Sequence, residues 1–319
     1  MNDDRRWLAA AAGLAARARP LSRPNPAVGA LIVKHGTVIS SGWTGPGGRP
    51  HAEAIALERA GSDAADATLY VTLEPCAHNS PRGPACADLV ARSALARVVI
   101  GCEDPDARTA GNGIAHIRDA GKSAEIIASP EAEASLSGYL RLRRDQRPEV
   151  TLKLAMSLDG CIATAGGESQ WITGEHARAH CHAMRAKSDA ILVGGGTLRA
   201  DSPGLDVRLP GLEGRSPDRL VLTNREAPQG WNALPSPQAI HELANIQYLF
   251  VEGGAQTASA FLKAGLVDRL LIYRAPVLIG GGLPAIGDIG LAALADAHGK
   301  WKLQDRRALG SDTLEIYTA

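Results

Sequence analysis

The sequence predicts an α/β protein built as two successive modules, and three observations carry that prediction. The chain has 319 residues, more than one hydrophobic core usually organises, and at roughly 100 to 200 residues per domain it divides into two. Short β-branched runs alternate with helical stretches over most of its length, which is the grammar of α/β folds. One charged, proline-containing joint, RLRRDQRPEV, interrupts that rhythm, so the boundary falls there and the modules are 1–146 and 147–319.

Taken in order, the residues from about Asp4 to Ala18 are rich in Ala and Leu, open with acids and stop before Pro20, which predicts a packing helix. VGALIVKHGTVISSGW turns at His35-Gly36 and predicts a hairpin. His51 opens the helix AEAIALERAG, which Gly61 closes, and TLYVTL from Thr68 is a compact buried strand. A helix near Ala85 to Ser93, a strand from Arg97 to Gly101, a helix before Gly121 and another from about Pro130 to Arg144 complete the first module. In the second, a strand covers Val150 to Ala155, a helix covers Gly174 to Lys187, and strand AILV runs into a glycine turn at Gly194 to Gly196. Strands RLVL from Arg219 and YLFV from Tyr248 follow, the latter ending in Glu252-Gly253-Gly254. A helix from Thr257 to Ala264 and strand RLLIYRAPVLI come next, whereas Asn224 to His241, rich in Pro and Gly, is expected to be loop.

Composition narrows the function classes. An apolar fraction of 45% and a charged fraction of 21% are ordinary globular usage. Lys+Arg and Asp+Glu each number 34 with no block of like charge, which argues against nucleic acid and anionic membrane surfaces and for a small-molecule partner. No stretch approaches about 18 uninterrupted apolar residues, so neither a spanning segment nor export is expected. Five cysteines, at 76, 86, 102, 161 and 181, are too sparse for a disulfide framework and fit a reducing cytoplasm. Cys102 and Cys161 read as buried small residues.

The strongest chemical signal is His51-Ala52-Glu53 followed by Glu74-Pro75-Cys76 and then Cys86. One imidazole and two thiolates suit Zn²⁺, and three protein ligands leave a fourth tetrahedral position for water. Zinc lowers the pKa of such a water, and a carboxylate that is not a ligand can shuttle its proton; Glu53 is the candidate. This H-x-E…P-C…C arrangement is the signature of zinc deaminases acting on cytosine or adenine rings. His51 and Glu53 can converge only over the first turn of their helix, because residues i and i+2 do not share a helical face. Nine residues separate Cys76 from Cys86, and that long loop supplies His78 and Arg82, suited to a polar or phosphorylated substrate. A structural zinc site, with His78 as a fourth ligand, is the competing reading.

On these residues the chain resembles the bifunctional bacterial diaminohydroxyphosphoribosylaminopyrimidine deaminase / 5-amino-6-(5-phosphoribosylamino)uracil reductase family of riboflavin biosynthesis. Further motifs carry the resemblance along nearly the whole chain: Asn25-Pro26, Asp104-Pro105, Gly111-Asn-Gly113, Lys153-Leu154, Ser157-Leu-Asp-Gly160, Glu168 to Thr173, Gly194 to Asp201 and Val251 to Gly254. The resemblance implies a cytidine-deaminase-like three-layer domain followed by a dihydrofolate-reductase-like α/β domain that binds NADPH. It places the zinc ligands on His51, Cys76 and Cys86, the proton shuttle on Glu53, and deaminase substrate contacts on Asn25, His78 and Arg82. Cofactor contacts fall on Ala155, Trp171, Thr197, Asp201, Asn224, Gly254, Ala255, Gln256, Thr257, Ala258, Ser259 and Ala260. Reductase substrate contacts fall on Ser169, Arg185, Leu205, Arg208 and Glu252. The implied substrate is a pyrimidine ribosyl phosphate, first hydrolytically deaminated and then reduced to the ribityl compound, in a cytoplasmic homo-oligomer.

Physical reasons stand beside several of these. Gly253-Gly254 before a helix offers bare amides to cofactor phosphates, and Arg185 and Arg208 offer planar forks to a sugar phosphate, although without the resemblance surface ion pairs are the default reading of both. Trp171 could stack on a ring or fill the core. His176, His180 and His182 read as a solvated helix face rather than a second metal site. The chain departs from the family after Asn224, where about twenty residues of Pro-rich loop stand in place of a further strand and helix. A weakened NADPH site, hence a chain active only as a deaminase, and a zinc-stabilised non-enzymatic module are the alternatives.

Overall fold

The computed structural model describes residues 3–78 and 80–319. The chain folds as two compact units, Met1–Gln146 and Arg147–Ala319.

The first unit runs α1 (Asp3–Ala15), β1 (Gly29–Lys34), β2 (Thr37–Trp43), α2 (Ala52–Ala60), β3 (Thr68–Val71), α3 (Cys86–Arg92), β4 (Arg97–Ile100), α4 (Asn112–Asp119), β5 (Ser123–Ile126), α5 (Pro130–Ser135) and α6 (Ser137–Asp145). The sheet order is β2-β1-β3-β4-β5, with β3, β4 and β5 parallel and β1 antiparallel to both neighbours. Period-2 alternation gives the inner strands β1, β3 and β4 two buried faces, while the edge strands β2 and β5 are partly exposed. Leu31, Val33, Tyr70 and Val99 pack under Leu8 and Ala11 of α1, while Ala30, Ile32, Leu69, Val71, Val98 and Ile100 meet α2, α3 and α4. Helix α1 ends at Ala15, short of the expected Ala18, and β5 lies outside the expected elements.

Two glycines set where the site will stand. A Cβ on Gly42 would lie 2.3 Å from the Ala52 carbonyl oxygen, so only a bare backbone lets the start of α2 rest on β2. A Cβ on Gly113 would lie 2.1 Å from the Pro75 oxygen, so the Pro75-Cys76 turn rests directly on α4.

The second unit runs β6 (Glu149–Met156), β7 (Cys161–Ala163), α7 (Glu175–Arg185), β8 (Ala190–Gly194), α8 (Gly195–Asp201), β9 (Asp218–Leu222), β10 (Asn232–Leu234), β11 (Tyr248–Val251), α9 (Ala255–Lys263), β12 (Arg269–Arg274), β13 (Leu283–Pro284), β14 (Lys302–Leu309) and β15 (Asp312–Thr318). Its main sheet has the order β10-β9-β8-β11-β6-β12-β15-β14, parallel from β10 to β12 and antiparallel at the last two strands. Helix α9 covers one face through Ala258 and Phe261, and α7 covers the other through Ala177 and Cys181. Arg147 is buried, its guanidinium gripping Asp268 at 2.7 and 2.8 Å, and Asp268 also accepts the Val150 amide at 2.8 Å.

Three expectations need correction here. The segment expected to be all loop, Asn224 to His241, contains β10, which adds in parallel to β9, and a short 3-10 stretch from Pro237. Gly195 and Gly196 open α8 instead of forming a free turn. Two of the three α7 histidines are not on a solvated face: His180 Nδ1 lies 2.7 Å from the buried Tyr273 hydroxyl, and His182 Nδ1 lies 3.1 Å from the Asp206 carbonyl oxygen and 3.3 Å from the Arg208 amide, whereas His176 is exposed as expected. No helix among the described residues is long and apolar enough to cross a membrane.

Candidate functional site

In the first unit, the ligand atoms of His51, Cys76 and Cys86 lie within 4.8 Å of one another, the one such group among the described residues. His51 Nδ1 is 3.1 Å from Cys86 Sγ and 3.5 Å from Cys76 Sγ. A tetrahedral zinc with ordinary bond lengths needs its nitrogen and sulfur ligands roughly 3.6 to 3.8 Å apart, so the donors need only part by a few tenths of an ångström to take that ion. His51 is the N-cap of α2 in extended conformation, which resolves the spacing problem, since it lies outside the helix while Glu53 sits in the first turn. Cys76 follows β3 through a short turn, and Cys86 opens α3, donating its amide to Cys76 Sγ at 3.3 Å. Hydrogen bonding with Cys86 lowers the pKa of the Cys76 thiol, while hydrogen bonding with Cys76 and burial raise that of Cys86. Glu53 is buried at 3% exposure, and burial raises its carboxyl pKa.

Glu74, which sequence reading assigned no role, anchors this arrangement. Its buried carboxylate accepts backbone amides from Ile114 at 3.0 Å, Gly111 at 3.1 Å and Asp104 at 3.3 Å. The adjacent motifs Asp104-Pro105 and Gly111-Asn-Gly113 were the available signal, but what they bind is backbone, which a residue pattern does not display. Asn25 lies against Gly48, and Arg82 Nη1 donates to the Gly47 oxygen at 2.8 Å, so both reach the segment leading to His51. His78 is partly buried, two residues beyond Cys76.

In the second unit a cavity of about 930 Å³ opens at the carboxyl ends of β6, β8, β11 and β12, the usual place for a ligand on a parallel sheet. Ala155, Trp171, Thr197, Asp201 and Gly254 line it, as do Ser169, Arg185, Leu205, Arg208 and Glu252. Trp171 is 67% exposed with the Arg178 guanidinium 4.8 Å over its ring, so it belongs to the cavity wall and not to the core. Arg185 directs Nε and Nη2 to the Glu252 carboxylate at 2.6 and 3.0 Å and Nη1 to the Asp206 oxygen at 3.0 Å. Burial alone would raise Glu252, but the Arg185 guanidinium outweighs it and holds the carboxyl below its usual range. Arg208, by contrast, is exposed. Lys153, noted in the sequence only as part of a motif, lines the cavity with its ammonium 3.9 Å from Glu252.

The remaining cofactor candidates are outside the cavity lining. Asn224 follows the end of β9, and Ala255 to Ala260 form the body of α9. Thr257 is buried between two glycine turns, because a Cβ on Gly194 would sit 2.3 Å from its hydroxyl and one on Gly253 2.3 Å from its Cβ. Ala258 is fully buried, and Ser259 accepts the Gly287 amide at 2.8 Å. Gly253 and Gly254 therefore present backbone to the cavity while the next turn packs inward.

Comparison with known proteins identifies the family of both units. Residues 1–102 match the cytidine and deoxycytidylate deaminase zinc-binding region, and residues 148–314 match the RibD C-terminal domain. The chain is 36% identical to the riboflavin biosynthesis protein RibD of Escherichia coli K12, over 97% of each chain. It is 35% identical to that of Aquifex aeolicus over 92% of each. Among solved structures, Acinetobacter baumannii RibD superposes with a TM-score of 0.85 at 34% identity, covering 99% of this chain and 98% of that one. The diaminohydroxyphosphoribosylaminopyrimidine deaminase/5-amino-6-(5-phosphoribosylamino)uracil reductase of Thermotoga maritima does so with 0.87 at 30% identity and the same coverage. The first unit thus has the cytidine-deaminase-like fold and the second the dihydrofolate-reductase-like fold that the resemblance implied.

Proposed function

The chain belongs to the RibD family of riboflavin biosynthesis, and from that premise we propose how its own residues divide the work. It is a bifunctional enzyme, a zinc-dependent deaminase in the first unit and an NADPH-dependent reductase in the second. The substrate is 2,5-diamino-6-(5-phosphoribosylamino)pyrimidin-4(3H)-one, hydrolysed at its amine-bearing ring carbon. The product is then reduced at the ribosyl C1′ to a ribityl chain.

His51, Cys76 and Cys86 would hold the zinc, which when bound supplies an acidified water as nucleophile. Glu53 takes the proton of that water and returns it to the departing amine, so water is consumed and ammonia leaves. Its burial keeps bulk water from competing for the proton. Asn25, His78 and Arg82 bind the substrate at the mouth.

NADPH, when bound along Ala155, Trp171, Thr197, Asp201 and the Gly253-Gly254 turn, supplies the hydride for C1′. Opening of the sugar leaves its ring oxygen in need of a proton. The Lys153 ammonium lines the cavity and can supply it, and Glu252, oriented by Arg185, holds that charge in place. Ser169, Leu205 and Arg208 complete the substrate wall, with Arg208 offering the exposed charge to the phosphate. A cytoplasmic location is in keeping with its sparse cysteines, and a homo-oligomer is what the family resemblance implies.

The convergence of His51, Cys76 and Cys86 beside buried Glu53 carries this reading. The test is to incubate the zinc-loaded chain with the pyrimidine ribosyl phosphate, adding NADPH second. Ammonia should appear first, and cofactor oxidation should follow only after deamination. A zinc-loaded protein that releases no ammonia refutes the reading.

A further inference from the structure

The six residues before the first metal ligand, Gly45-Pro46-Gly47-Gly48-Arg49-Pro50, gather donor side chains around them. Asn25 lies against Gly48, where a Cβ would come within 2.3 Å of its Cγ. Arg82 donates to the Gly47 oxygen at 2.8 Å. Arg49 donates through Nη1 to the Pro84 oxygen at 3.1 Å, on the loop joining the two cysteines, and the same nitrogen is 3.2 Å from where a Cβ on Gly83 would stand. Two sequence-distant loops are thus brought together by guanidinium contacts to backbone, and among the described residues neither Arg49 nor Arg82 has a carboxylate partner.

Two buried polar atoms on these two loops have no hydrogen-bond partner, Arg49 Nε and, on the loop that also carries Arg82, His78 Nδ1. Among the described residues only one other side-chain atom, Arg269 Nε, shares that condition. A buried donor left unmatched costs stability, and native proteins keep such atoms where a ligand supplies the missing acceptor. Arg49 stands two residues before His51 and bonds the backbone two residues before Cys86, which places it beside two of the metal ligands. A guanidinium with an unused Nε, an imidazole with an unused nitrogen and a second, exposed guanidinium form a donor set for a tetrahedral oxyanion.

We propose that Arg49 is a phosphate-binding residue of the deaminase site, closing with His78 and Arg82 on the phosphate ester of the substrate. Nothing in the sequence motifs marks Arg49, which lies just outside the His51-Ala52-Glu53 signature. The inference rests on the deaminase reading above and adds a selectivity: Arg49 makes the first unit prefer a phosphorylated riboside over the free riboside.

The test uses the full zinc-loaded chain and measures ammonia release from the substrate and from its dephosphorylated riboside, for wild type, Arg49→Gln and Arg49→Lys. Zinc content is measured on each protein, and inorganic phosphate is titrated as an inhibitor. The Gln variant should keep its zinc and lose selectivity, the ratio of kcat/KM for phosphorylated over free substrate falling about tenfold or more. Inhibition by phosphate should weaken in parallel, and Lys should recover part of both. Loss of zinc in the Gln variant, or an equal loss toward both substrates, makes Arg49 a staple of the cysteine loop and overturns the proposal. A wild-type enzyme that deaminates both compounds equally also overturns it. One that deaminates neither overturns the deaminase reading itself, and the proposal with it.

Discussion

The carboxylate of Glu74 accepts the backbone amide of Ile114 at 3.0 Å and so ties the turn after β3, two residues before Cys76, to the first turn of α4. Two further amides, of Gly111 and Asp104, bond the same carboxylate. Replacing Glu74 with Ala leaves these buried donors unmatched and should cost on the order of 2–4 kcal/mol in the first unit. Cys76 then loses its support, so bound zinc should fall below one per chain while Glu74→Gln retains an intermediate amount. Thermal unfolding and metal analysis of the two variants check this.

The close approach at Gly113 makes a sharper steric prediction. Gly113→Ala drives a methyl group to 2.1 Å from the Pro75 oxygen, and Gly42→Ala drives one to 2.3 Å from the Ala52 oxygen. Each should destabilise the chain by about 1–3 kcal/mol and reduce zinc retention, since the displaced backbone carries a ligand. Gly13 in α1 has nothing within 4 Å of its added Cβ, so Gly13→Ala should stabilise by about 0.5–1 kcal/mol. Denaturant unfolding of the three variants separates steric crowding from a general intolerance of alanine.

Glu252 and Arg185 form an ion pair with side chains 8% and 12% exposed. Removing one partner strands the other charge, at about 3–5 kcal/mol. Glu252→Ala should therefore lower the stability of the second unit and abolish NADPH oxidation, while ammonia release from the first unit persists. Parallel loss of both activities would contradict the assignment of the pair to the reductase site alone.

His180 gives the second unit an acid-sensitive point. Burial lowers its pKa below 6.5, helped by the positive charges of Arg307, Lys187 and Arg269 and opposed by Asp305. The unfolded chain binds this proton more readily than the folded one, so stability rises with pH between the folded value and 6.5 and is lost on acidification through that window. His182 is lowered in the same direction, first by burial and then by Arg185 and Arg208. His180→Gln should flatten the pH dependence of the unfolding midpoint below about pH 6.5, leaving the part due to His182. An unchanged slope would remove His180 from this role.

Sequence alone revealed most buried strands, because runs such as TLYV and YLFV are long enough to show as apolar segments whose inward faces need both covering helices. Edge elements left weaker traces. In β14, KLQDRRAL, nearly every residue is exposed, so neither alternation nor an apolar run marks a strand whose pairing comes entirely from β15. The same holds for β10, three residues whose order depends on the rim of β9. The metal ligands were legible because zinc chemistry restricts residue type and the flanking motif is short. Glu74 and Arg49 were not, since one binds backbone amides and the other is singled out only by an unmatched donor seen after folding.

X-ray absorption at the zinc edge of the purified protein tests the account most directly. One nitrogen ligand and two sulfurs near about 2.3 Å, with one light oxygen completing the shell, is the predicted result, and Cys86→Ser should remove one sulfur. A shell of four protein ligands, or one without two sulfurs, would contradict it.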